Sequence, residues 1–250
     1  MIVSTDHGSV RELRLSRPPA NAFNPALVAA LAEAVGGAPA DGIDALVISG
    51  APGMFTGGLD VPELLGLGRD EIRAFWKSFY GLLGTVAASE IPVAAAITGH
   101  SPAAGAVLSV FCDHRVMAEG PFKIGMNEVQ VGLSVPPTLQ YGLKRLTGAR
   151  AGDALLIAGA LVSPAEALRV GLVDEVVAPD EVIPRALAWA ERLAALPRQA
   201  MRDTRRVARA DLVAQFDGLS EADFDRVTER WFGEETQATM RALVARLAKR

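Results

Sequence analysis

The sequence predicts an α/β fold with a helical carboxy-terminal region, on three observations. Short apolar runs edged by glycine alternate with stretches of helical periodicity through about Val177. Helix-start signals with proline at the first position open two of those stretches, at Asn24-Pro25 and Ser163-Pro164. From Asp180 onward nearly every window reads as helix. Strand–helix alternation in this order implies a parallel sheet with right-handed crossovers. A chain of 250 residues suits one domain with a helical appendage.

In chain order, Val10–Leu15 reads as the first strand, and Asn24 caps the helix PALVAALAEAV. DALVIS, Asp44–Ser49, is an apolar run between Gly42 and Gly50, as expected of a strand buried on both faces. Glu71–Ala88 has helical spacing. Pro92–Thr98 is a second buried strand, after which Ser101-Pro102 starts the helix AAGAVLSVF, and His114–Ala118 is a third strand. SPAE, Ser163–Glu166, is a capping box, and its helix ends at Gly171 before a strand over Leu172–Val177. The tail reads as DEVIPRALAWAERLAAL, RQAMRDTRRVARADLV and a final helix from SEADFDRVTERWF. Its Phe216, Phe224, Trp231, Phe232 and Leu243 are expected to cover the core and to be available to another subunit.

Composition excludes several classes. Half the residues are hydrophobic but only 6% are aromatic, so Ala, Val and Leu must build the core. A net charge of −4 argues against a nucleic-acid groove. The basic run Arg202, Arg205, Arg206 and Arg209 reads as a solvated helix face rather than an anion-binding surface. One cysteine, Cys112, allows no internal disulfide and suits a reducing compartment. His7 and His114 have no partners at metal-ligand spacing, so no metal is expected. The amino terminus lacks the apolar h-region of a signal peptide, and the apolar stretch Ile91–Cys112 is broken by Pro92, Gly99, His100, Ser101 and Pro102. A cytoplasmic protein without a membrane span is the expectation.

Three segments carry candidate chemistry. Gly50–Asp60 (GAPGMFTGGLD) follows a strand, and its four glycines let backbone N–H groups approach a ligand. Gly99–Gly105 (GHSPAAG) also follows a strand and opens a helix, whose first N–H groups favour a developing negative charge. Neither turn fits a P-loop or a dinucleotide fingerprint, and no G-x-S-x-G elbow is present. In FKIGMNEVQVGLSVPP, Glu128 sits among Val129, Val131 and Leu133. It is either a surface glutamate beside a turn or a carboxylate in an apolar pocket with a raised pKa.

Together these segments resemble the crotonase, or enoyl-CoA hydratase/isomerase, superfamily. The match runs in order from Leu15 to about Pro179: LSRPPANAFNPAL, DALVISGAPGMFTGGLD, IPVAAAITGHSPAAGAVLSVFCDHRVMA, FKIGMNEVQVGL with LKRLTG, and LVSPAEALRVGLVDEVV. The resemblance implies a ClpP/crotonase-like spiral of ββα repeats. A core over residues 1–195 would be followed by a helical trimerisation and cover region over 196–250. It implies that the amides of Leu59 and Ala104 form an oxyanion hole for a thioester enolate. Ala104 stands where the family more often has Gly; its methyl is harmless if the residue is helical and harmful if φ is positive. The substrate implied is an acyl-CoA, with coenzyme A entering as part of the thioester and no separate cofactor. Ala22, Phe23, Thr56, Gly57, Gly58 and Asp60 would contact it, and Ser134, Pro136 and Pro137 would shape the acyl end. A homotrimer or dimer of trimers is implied as well.

Hydratases of this family use two glutamates, and the first would fall at Val107, which cannot carry a proton. The single carboxylate Glu128 suffices for a 1,3-proton shift, so the sequence looks most like the Δ3-Δ2-enoyl-CoA isomerases, of the dodecenoyl-CoA type, acting in fatty acid oxidation. Hydration, acyl-CoA hydrolysis and decarboxylation remain alternatives. So does a non-catalytic acyl-CoA binding protein, which Ala104 and Val107 would favour. Asp113 and His100 read as structural residues, Met54, Met117 and Met126 as core filling, and Asp60 as a helix cap.

Overall fold

The computed structural model describes residues 1–247. A hairpin of β1 (Ile2–His7) and β2 (Val10–Leu15) leads to α1 (Pro25–Gly37). Three strand–strand–helix turns follow. The first is β3 (Ala45–Ser49), β4 (Gly53–Met54), α2 (Val61–Leu64) and α3 (Arg69–Ala88). The second is β5 (Val93–Ile97), β6 (Gly99–Pro102) and α4 (Ala104–Val110). The third is β7 (His114–Ala118), β8 (Ile124–Gly125) and a 3-10 turn at Glu128–Val131. Next come α5 (Pro137–Thr147), α6 (Ala149–Ala158), α7 (Pro164–Arg169), β9 (Glu175–Val177) and α8 (Val182–Ala194). The tail holds α9 (Arg198–Ala208), α10 (Ala210–Asp217), α11 (Glu221–Trp231) and α12 (Glu234–Leu247).

The first strand of each turn joins one sheet of order β1-β2-β3-β5-β7-β9, parallel except for the β1–β2 hairpin. The second strands form a parallel three-stranded sheet, β4-β6-β8. This matches the spiral of strand–strand–helix repeats that the resemblance implies. Alternation along β3 explains why Ala45 to Ile48 are all apolar. Ala45 and Val47 face Val182, Ala186 and Ala190 of α8, while Leu46 and Ile48 face the main core with α1, α3 and α4. Both faces are covered, as a parallel sheet requires.

Four sequence expectations are corrected. β1 is a strand that went unread, because its STDH segment is polar on both sides and only an edge position tolerates that. Ser101 and Pro102 pair with Ile124 and Gly125 in β6, so the following helix starts at Ala104. The strand expected from Leu172 starts at Glu175, Leu172 and Val173 being buried just before it. The fourth concerns the basic run, which is not one solvated face. Arg205 and Arg209 are only 9% and 7% exposed.

Those two arginines straddle Asp113. Arg205 Nη2 reaches Asp113 Oδ2 at 2.9 Å and Arg209 Nη1 reaches Oδ1 at 3.0 Å. Asp113 also accepts from the Val93 N–H at 2.8 Å, which ties it to the start of β5. The remaining guanidinium N–H groups donate to carbonyls that have no helical partner. These are Val86, Ala87 and Ser89 at the end of α3, and Phe111 and Cys112 at the end of α4. Cations at two helix C-termini also meet the negative ends of both dipoles.

The tail then folds back on its own core. α10 and α11 pack on α3, and α12 packs on α2 and the Glu128 turn. Trp231 is fully buried edge-on to Trp76, with ring centroids 6.0 Å apart.

Asp113→Ala leaves two buried guanidinium groups without their carboxylate. It is expected to lower stability by about 3–5 kcal/mol. Arg206→Ala, which removes an exposed pair with Asp203, should cost under about 1 kcal/mol. Urea denaturation of both variants compares them; equal losses would refute the buried cluster.

Candidate active site

The small sheet brings the three predicted segments together. Gly99 allows it: a Cβ there would lie 1.9 Å from the Gly53 carbonyl carbon, so β4 and β6 could not pair with any larger residue. Gly58, at φ +91, lets the first loop lie against the second turn, since a Cβ would come within 3.3 Å of the Ala103 methyl and 3.8 Å of the Ala104 nitrogen.

Hydrogen bonding along the first loop singles out one donor. The N–H groups of Phe55 and Thr56 bond the His100 carbonyl, and that of Gly57 bonds Ala20. Gly58 N–H goes to Thr56 Oγ1 at 3.1 Å, Asp60 N–H to the Phe23 carbonyl and Val61 N–H to the Leu59 carbonyl. Among the described residues only Leu59 N–H in this run has no partner. In the second turn, Ser101 and Ala103 N–H groups bond Lys123 and Gly125, whereas Ala104 N–H has no acceptor among the described residues. Ala104 is the first residue of α4, so its methyl meets no backbone penalty. The strain lies one residue earlier: Ala103 has φ 47 and ψ −117.

Leu59, Ala104 and Glu128 all line one cavity of about 420 Å³, a size typical of small-molecule sites. Trp76, Phe79 and Tyr80 of α3, Val107 of α4, Leu139 of α5, and Met240 and Leu243 of α12 contribute to its apolar wall. Glu128 is its one ionisable carboxylate among the described residues. Its Oε2 is buried with no hydrogen-bond partner. Burial pushes its pKa up to about 7, opposed weakly by its own backbone N–H. The pocket reading of Glu128 therefore holds over the surface one. The turn that carries it is fixed by Gln130 Nε2 donating to the Gly159 carbonyl at 2.8 Å and Thr236 Oγ1 of α12 donating to Gly132 at 2.6 Å.

The other expected contact residues divide. Gly57, Ser134 and Pro136 line the cavity, and Ser134 Oγ also accepts from Arg230. Gly58 shapes the junction of the turns. Thr56 is fully buried, bonding the Asn21 carbonyl and Gly58 N–H, so it braces the loop from behind. Phe23 is also fully buried, and its backbone holds Gly58 and Asp60. The Ala22 carbonyl accepts from Arg17. Asp60 caps α2 through the Glu63 N–H and pairs with Arg17 at 2.6 Å. Pro137 lies in a neighbouring cavity.

His100 Nδ1 accepts from the Lys123 N–H, a loop role. Met117 and Met126 are core residues. Sequence reasoning missed Asn21, whose Nδ2 donates to Phe55 O and whose Oδ1 accepts from Arg17 N–H. It also missed Asn127, which lines the cavity with its Oδ1 buried and unpaired. Trp76, Phe79 and Tyr80 were legible only as a helix stripe.

The enoyl-CoA hydratase/isomerase family model matches residues 5–244. The chain belongs to that family. It is 30% identical to human mitochondrial enoyl-CoA delta isomerase 1 over 253 residues, covering 99% of this chain and 83% of the human one. It resembles the crystal structure of human mitochondrial Δ3-Δ2-enoyl-CoA isomerase with a TM-score of 0.95 at 28% identity, covering 99% and 98% of the two chains. An enoyl-CoA hydratase from Mycobacterium ulcerans superposes with a TM-score of 0.83 at 28% identity, covering 92% and 99%. Members of this family act on acyl-CoA substrates. No helix among the described residues is long and apolar enough to cross a membrane, and no His, Cys, Asp and Glu cluster there could hold a metal.

Two outcomes follow. Ala103→Gly relieves a conformation that only glycine adopts freely, and it is expected to raise stability by about 1 kcal/mol. A lower urea midpoint in that variant would refute strain at Ala103. For Glu128 the sign is set by a folded pKa above the unfolded one. Stability falls as pH rises from about 4.5 to about 7, because the unfolded chain ionises first. In urea denaturation Glu128→Gln is therefore expected to exceed wild type by roughly 3 kcal/mol at pH 8 and to lose that advantage below the ordinary glutamate value of 4.5.

Proposed function

We propose that the chain isomerises 3-enoyl-CoA to 2-enoyl-CoA in fatty acid oxidation, with Glu128 as the single acid/base. The observation that carries this reading is the cavity's lone carboxylate among the described residues, in a lining that has Val107 where a second proton carrier would stand. The thioester oxygen accepts from the amides of Leu59 and Ala104, whose free N–H groups stabilise charge that develops only as the enolate forms. Glu128 takes a proton from C2 and returns it at C4, so it ends the cycle as it began. A carboxylate with its pKa near neutrality can do both. The apolar wall keeps water from the enolate. Val107 offers no second group to activate water, which disfavours hydration.

In the same reading coenzyme A enters as part of the substrate, with no separate cofactor. The loop of Gly57 and Gly58, together with the segment of Ala22 and Phe23 behind it, frames its thioester end. A homotrimer or dimer of trimers belongs to this proposal, and light scattering on the purified chain tests it.

The decisive experiment is a spectrophotometric assay of 3-enoyl-, 2-enoyl- and malonyl-type CoA thioesters. Conversion of the 3-enoyl substrate to the conjugated 2-enoyl product is expected, with a loss of about 10²–10⁴-fold in Glu128→Gln. The wild-type kcat/KM should fall as pH drops below about 7, where Glu128 in the free enzyme becomes protonated. Undiminished turnover in Glu128→Gln, or hydration of 2-enoyl-CoA as the dominant activity, would overturn the assignment.

A further inference from the structure

A second cavity, of about 390 Å³, lies behind the wall of the first. Three residues line both: Tyr80, Pro136 and Val227. Tyr80 is the largest of them. Tyr80 is 5% exposed, and its ring packs edge-on against Phe224 of α11, with centroids 6.0 Å apart and planes at 82°. The two cavities differ in character. The first is apolar around Glu128, whereas Asp223, Arg226, Arg230 and Gln215 help line the second. Burial, then the charges of Glu128 and Asp223, hold the Tyr80 phenol above its usual range. The ring thus feels one carboxylate from each cavity.

We propose that Tyr80 is the end-stop of the acyl pocket and sets the longest acyl chain the enzyme accepts. The inference rests on the acyl-CoA reading above. An alkyl chain gains binding only from methylenes that leave water for an apolar wall, up to about fourfold per methylene. A rigid aromatic ring across the path ends that gain. Removing the ring joins the two cavities and adds length, though the polar lining beyond yields less per methylene than the first chamber. The phenol hydroxyl is not needed for this; the bulk of the ring is.

The test uses saturated acyl-CoA thioesters of increasing length, which bind without being isomerised. Trp76 lines the same cavity, so its fluorescence reads occupancy without turnover. Wild type is expected to bind more tightly with each added methylene up to a limit and then no further. Tyr80→Ala should extend that limit by about two to four carbons, each worth up to fourfold. Tyr80→Phe should keep the wild-type limit. Tyr80→Leu, closer to native core volume, serves as the folded alternative if the alanine variant is too unstable. The kcat/KM ratio between long and short 3-enoyl-CoA substrates should shift in the same direction. If thioesters bind but Tyr80→Ala and Tyr80→Leu keep the wild-type limit, the end-stop is wrong and the acyl-CoA reading stands. If no thioester of any length binds, both fall together.

Discussion

The three-stranded sheet of β4, β6 and β8 is the constraint on which the site depends. Each candidate position lies two to five residues beyond the end of one of its strands: Leu59 after β4, Ala104 after β6 and Glu128 after β8. The strands pair in parallel, so their carboxyl ends point the same way and deliver three different turns to one place. The close approach at Gly99 makes that pairing possible. The meeting of these three positions in the cavity follows from backbone register. This is why two of the three positions tolerate side chains as bland as Leu and Ala.

Around this register the protein spends its polar groups on leaving a few others unpaired. Asn21, Thr56 and the Ala20 and Phe23 carbonyls take up the N–H groups or carbonyls on either side of Leu59, leaving one donor free. A buried polar group without a partner costs free energy, so such groups persist where something else is to complete them. The free amides suit an anion, and the orphaned Glu128 oxygen suits a proton. The strain at Ala103 sits at the same junction, between β6 and the first N–H of α4.

Much of this was legible in the sequence, for identifiable reasons. β3 and β5 read correctly because a strand buried on both faces is apolar almost throughout, and β7 read from its Val116–Ala118 end. Asp60 and Ser163 read as caps because capping is local chemistry. Glu128 stood out as a charge in an apolar segment, but only the fold decided between surface and pocket. What failed was non-local. β1 has no apolar face of its own. Arg205 and Arg209 look like surface charges until Asp113 and two helix ends are placed beside them. Thr56 lies in the recognisable loop and Phe23 in the segment behind it, yet their side chains turn into the core, and spacing cannot reveal that. Family resemblance located the loop; the register assigned its faces.

Helix α3 links the site to the rest of the molecule, and its spacing shows how. Trp76, Phe79 and Tyr80 face the cavity. Arg73 and Lys77, one turn apart, meet Glu221 and Asp225 on α11. The carbonyls at its C-terminal end receive Arg205 and Arg209. One helix therefore supplies the wall, anchors the cover and accepts the arginines that orient the tail. The exposed ion pairs are individually weak, so they set direction more than strength. The buried arginines at the helix end and the Trp76–Trp231 contact supply the strength. A tail held this way closes the cavity from within the same chain. The carboxylate that needs an apolar surrounding is thereby protected by the same packing that secures the last four helices.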